Sequence, residues 1–211
     1  DSRLGGDVSA FEFFFSFYGL ILGLSVAELL GGFARTLNRN PRPRFGLLTP
    51  LLVVFAALDV TTFWFQAWII FRPAPFNLAL LMLGLVIAGL FYISATLVFP
   101  RDEDQVEDLD AHFWRNKRTI LLLLLSANVI VASLIVGVAA AQGELHLVAK
   151  SWFFWFGVSL FTGLTLIAAL ARRPWIVKAA LIALLAYYGL NISRAAAPLV
   201  EKGGWSLVAK E

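Results

Sequence analysis

The chain alternates long apolar runs with short polar breaks. Apolar stretches occupy about 11–34, 46–71, 78–99, 119–141, 151–171 and 174–198, and every break between them carries charge, usually with proline or glycine nearby. About 20 apolar residues cross the hydrocarbon core of a bilayer at a rise of 1.5 Å per residue. The pattern predicts an all-α fold: a polytopic membrane bundle of six transmembrane helices forming one domain over 1–211. The longest break, 100–118, contains DEDQVEDLDAHFWRNKR, acidic first and basic last, which suits a helix macrodipole. Val106, Leu109 and Phe113 recur there at helical spacing, predicting a short cytoplasmic amphipathic helix between helices 3 and 4.

Composition agrees with the pattern. Hydrophobic residues make up 60% of the chain and charged residues 15%, against roughly 25% charged in soluble domains. With no cysteine, disulfides, thiolate metal sites and cysteine nucleophiles are excluded. The only two histidines, His112 and His146, lie in the breaks, so a transmembrane haem lacks axial ligands, and neither a cofactor nor a metal is expected. The acidic run from Asp102 to Asp108 lacks the glycine and spacing of a calcium loop. No nucleophile elbow, HExxH or phosphate loop occurs, and the chain does not read as an enzyme. Its N-terminus, Asp1 to Ala10, has no basic region ahead of a short apolar core and does not read as a signal peptide.

The net charge of +3 does not point to nucleic acid, because the basic residues sit at the ends of apolar runs. Eleven of them (Arg35, Arg39, Arg42, Arg44, Arg101, Arg115, Lys117, Arg118, Arg172, Arg173 and Lys178) fall on one side of the expected membrane. Five (Arg3, Arg72, Lys150, Lys202 and Lys210) fall on the other. The positive-inside rule puts the eleven in the cytoplasm and both termini outside it, in a bacterial inner membrane. Trp64, Trp68, Trp152 and Trp155 fall near the outer interface, and Trp114 and Trp175 near the inner one, as an aromatic belt requires.

Polar residues inside the apolar runs are the candidates for function, because ionisable groups at membrane depth need a partner, water or a task. Three carboxylates qualify: Glu12 at outer, Asp59 at middle and Glu28 at inner depth. Thr62 and Gln66 continue from Asp59 as a polar stripe, and Asn128 on the fourth helix lies at a depth where it can share a hydrogen bond with Asp59. A protonated Asp59 acting only as interhelical glue is the plainer alternative. Ser25, Glu28, Gly32 and Arg35 share a face of the first helix, so Glu28 and Arg35 can close a gap of about 10 Å as an ion pair. On the sixth helix Tyr187, Asn191 and Arg194 share a face, and a Glu12 pair with Arg194 is the simplest neutralisation of both. Gly19, Gly23, Ala27 and Gly31 form a strip of small side chains for close helix packing, with Gly84 and Ala88 among the candidate counterparts.

These features lead first to a small proton or cation channel or transporter, with Asp59 as central group, Glu28 and Glu12 as inner and outer stations, Gln66 and Asn128 on the same path, and Arg35, Arg194, Asn191 and Tyr187 as ion-pair or gating residues. The alternative is a non-catalytic accessory subunit or assembly factor of a larger membrane complex. Beyond the lipid bilayer, the partners expected are further copies of the chain or other membrane subunits. The two readings differ at one residue: transport requires water at Asp59, whereas a structural subunit keeps it dry and hydrogen-bonded.

Overall fold

The computed structural model describes residues 10–40, 43–44, 46–71, 78–100 and 108–201, all but a few connecting residues being helical. In chain order the helices are α1 (Ala10–Asn38), α2 (Leu48–Phe71), α3 (Leu78–Val98), α4 (Leu109–Ala141), α5 (Leu145–Lys150), α6 (Trp152–Leu170) and α7 (Pro174–Glu201). All except α5 are long and apolar enough to cross a membrane. The protein is an all-helical integral membrane bundle.

The helices begin and end where their residues dictate. Asp108, in extended conformation, caps α4 by accepting from the Asp110 backbone N–H at 2.9 Å. At the other end of α4, Gly143 takes φ +75°, and the N–H groups of Gly143 and Glu144 turn back onto the carbonyls of Ala140 and Ala139. Those paired bonds form a Schellman motif, which needs a residue free to adopt the left-handed region. Ser151 caps α6 through the Phe154 N–H. Pro174 opens α7 at the first helical position, where a missing N–H costs nothing.

One difference from the sequence pattern concerns 100–118. The turns from Leu109 to Arg118 are not a separate helix but the first turns of α4, which runs unbroken for 33 residues. No proline interrupts Leu109–Ala141, its one glycine, Gly137, lies near the far end, and Leu109 and Phe113 are buried in the bundle instead of lying on a membrane surface. Val106 and residues 101–107 lie outside the described residues. A second difference is α5, a short helix in the break that precedes α6.

The six long helices stand in two rows. One row is α1, α2 and α7; the other is α3, α4 and α6, with α1 packed on α3, α2 on α3 and α4, and α7 on α6. Both middle helices, α2 and α4, therefore have neighbours on three sides. Tyr18 straps the rows together: its ring lies over Gly84, where any side chain would collide with it, and its hydroxyl donates to the Leu81 carbonyl at 2.7 Å. Phe99 closes against Gly32 in the same way. At the basic end the α1–α2 and α3–α4 connections meet, with Leu109 N–H donating to the Arg44 carbonyl and Thr49 donating to the Leu109 carbonyl.

Candidate functional site

Asp59 lies in the centre of the buried face of α2, in a stripe that runs Leu52, Phe55, Asp59, Phe63 and Ala67. At 1.5 Å per residue it is about 16 Å along α2, close to mid-membrane. Its carboxylate is 1% exposed and is held from two other helices. Tyr188 of α7 donates its hydroxyl to Oδ1 at 2.7 Å, and Asn128 of α4 places its amide nitrogen 3.0 Å from both oxygens. The same amide nitrogen donates to the Leu124 carbonyl at 3.0 Å, which fixes its orientation within α4. Around this group Phe55 and Phe161 stand 6.0 Å apart, and Tyr188 lies 6.1 and 6.5 Å from them. A polar knot inside an aromatic frame thus joins α2, α4 and α7.

The Asn128 contact is the one expected from depth; the Tyr188 contact is not. Tyr187, singled out with Asn191 and Arg194, instead points its hydroxyl toward Gly157 of α6, while Asn191 donates to the Tyr187 carbonyl at 3.0 Å. The sequence signal for Tyr188 is the stripe Val177, Leu181, Leu184 and Tyr188, whose steps of four, three and four mark the buried face of α7.

Glu28 does not join Asp59. Glu28 faces outward from α1, accepting from Arg35 Nη2 at 2.7 Å, with the Glu28 and Arg35 side chains 33% and 45% exposed. Ser25 and Gly32, expected on that same face, turn inward: Ser25 is buried and donates to the Ile21 carbonyl, and Gly32 receives Phe99. Gln66 is exposed, so the stripe from Asp59 rotates off the buried face within two turns. Arg194 is exposed and lies over the Phe153 ring at 5.4 Å. The side chain of Glu12 lies outside the described residues, and so does its expected pair with Arg194.

Along the strip of small residues, Gly19 packs on Trp64, Gly23 meets nothing nearby, Ala27 is exposed, and Gly31 faces the Arg35 guanidinium. Most of that strip therefore looks away from the bundle.

Sequence reasoning also missed Lys117. As one of the basic residues that mark topology it was expected at the surface, yet it is 5% exposed. Its ammonium donates to the carbonyls of Ala168, Ala169 and Ala171 at 2.8, 2.8 and 2.9 Å and lies 5.0 Å from the Trp114 ring centre. A cation there satisfies the last carbonyls of α6 and opposes its negative dipole end. The signal was its register: Phe113, Lys117, Ile120 and Leu124 form the buried stripe of α4.

Comparison with protein-family models, with curated proteins and with solved structures finds no match for this chain.

Proposed function

We propose that this chain is a non-catalytic subunit or assembly factor of a larger membrane complex, and that Asp59 is an internal clasp, not a transport site. The observation that carries this reading is the closure of Asp59, whose two oxygens take donors from Tyr188 and Asn128 inside an aromatic frame. A carboxylate on an ion path needs exchangeable partners, whereas this one is engaged by side chains from two neighbouring helices. Glu28 supports the same conclusion, because it turns away from Asp59 and pairs with Arg35 on the outer side of α1.

Glu28 lies within the α1 span and faces out toward Arg35 of the last turn, which argues for a protein neighbour, since charges inside a bilayer ordinarily face protein or a water-filled space. The open positions Gly23 and Ala27 on the same helix allow that neighbour to approach closely. The excess of basic residues at one end of the bundle orients that end toward the cytoplasm of a bacterial inner membrane, with both termini outside.

The test is native electrophoresis of gently solubilised source membranes. The chain is expected in a species well above its own 23.3 kDa, and that species is expected to disappear in a Glu28→Leu, Arg35→Leu variant that still folds. Migration of the wild type as a lone, stable monomer that conducts ions overturns the proposal.

A further inference from the structure

At the basic end, a cleft of about 390 Å³ opens between α4 and the turn that joins α6 to α7. Trp114, Lys117 and Arg118 line it from α4, Ala169 and Leu170 from the end of α6, and Ala171 and Arg172 from the turn. We propose that this cleft binds the phosphate headgroup of an anionic phospholipid.

Three features carry the inference. First, Arg118 and Arg172 come from different elements, both are exposed, and neither forms an ion pair among the described residues. Guanidinium groups present paired donors that fit phosphate oxygens. Second, the back of the cleft would ordinarily repel an anion, because α6 ends there with its carbonyls and its negative dipole end. Buried Lys117 cancels that obstacle by donating to the carbonyls of Ala168, Ala169 and Ala171. It is thus a fixed positive floor, while the two arginines remain available. Third, the wall below the cleft is apolar and exposed: Ile167 and Leu170 of α6 are 48% and 57% exposed, and Trp175 is 64% exposed beside the turn. An acyl chain running down from the headgroup has a surface to follow, and tryptophan marks headgroup level. The apolar wall favours a lipid over free phosphate, which shares the headgroup's chemistry. Basic pockets between transmembrane helices are known receivers of such headgroups.

The test uses the full chain purified in a neutral detergent and offered dioleoyl-phosphatidylglycerol, dioleoyl-phosphatidylcholine or inorganic phosphate, with bound lipid counted by native mass spectrometry. Preferential retention of phosphatidylglycerol is expected, weakened about tenfold or more in Arg118→Gln, Arg172→Gln and kept in Arg118→Lys, Arg172→Lys. Inorganic phosphate at millimolar concentration is expected not to displace the lipid. A control variant, Arg115→Gln, Arg173→Gln, removes two exposed charges beside the cleft and is expected to retain the lipid. Equal retention of phosphatidylcholine, no effect of the Arg118, Arg172 pair, or an equal effect of the control overturns the site. Displacement by inorganic phosphate overturns its assignment to a lipid.

Discussion

Asp59, Asn128 and Tyr188 form a unit whose members are unequal only when one is removed. Truncating one member takes a partner from the buried polar atoms that remain, and that loss, more than the bond itself, sets the cost. Tyr188→Phe is expected to destabilise the bundle by about 1 kcal/mol, within the range measured for hydrogen bonds in membrane proteins. Asp59→Leu should cost more, about 1–3 kcal/mol, because it strips the Tyr188 hydroxyl of its acceptor and leaves Asn128 only the Leu124 carbonyl. The triple variant Asp59→Leu, Asn128→Leu, Tyr188→Phe should recover most of that loss, since no polar group is then stranded. Reversible unfolding in mixed micelles measures all three. Additive losses, with the triple variant the least stable, would contradict the clasp. At this scale the sequence was half legible. Shared depth brought Asp59 and Asn128 together, but choosing between Tyr187 and Tyr188 needs the rotation of α7, and neighbouring helical residues point about 100° apart. Tyr187 shares its face with Asn191 and Arg194, and that polar company obscured the buried tyrosine.

Helix ends and helix faces decide the elements. Lys117 holds the end of α6 from a different helix, so Lys117→Met should leave α4 intact and loosen α6. The expected result is faster amide exchange at Ala171, whose N–H bonds to the Ile167 carbonyl at 2.8 Å, with a stability loss of about 2 kcal/mol for carbonyls left without their charged donor. Unchanged exchange there would show that the cap is dispensable. Gly84 is the close-packing residue that counts between α1 and α3: Gly84→Leu should drive Tyr18 from its place and cost more than Gly23→Leu, where a side chain meets open space. Thermal unfolding of the two variants compares them directly. The number of spans and their order were readable from the runs of apolar residues. The continuity of α4 was not, because charge at Arg115 to Arg118 looks like a break while posing no obstacle to helical hydrogen bonding. The spacing of Gly19, Gly23, Ala27 and Gly31 was equally misleading about where helices touch. A small-residue strip shows that a close approach is sterically open, and the neighbours decide whether one occurs.

Across the whole molecule, hydrophobicity sets the class and the few polar groups set the arrangement. Two rows of three helices leave α2 and α4 in the middle, and the clasp ties both to α7. The outer face of α1 carries the Glu28–Arg35 ion pair, so the molecule keeps one acid inside and shows another to its surroundings. An expected file of acids from Glu12 through Asp59 to Glu28 rested on depth, and depth says nothing about which way a helix is turned. The proposal of a structural subunit follows from that turning. Its most direct test is ion flux. The purified chain is reconstituted in liposomes, and proton and potassium movement under an imposed gradient is compared between wild type and Asp59→Asn at matched incorporation. Folded wild type is expected to give no more flux than empty liposomes. Flux from wild type that Asp59→Asn abolishes, with the variant still folded, would place Asp59 on a transport path and contradict the account.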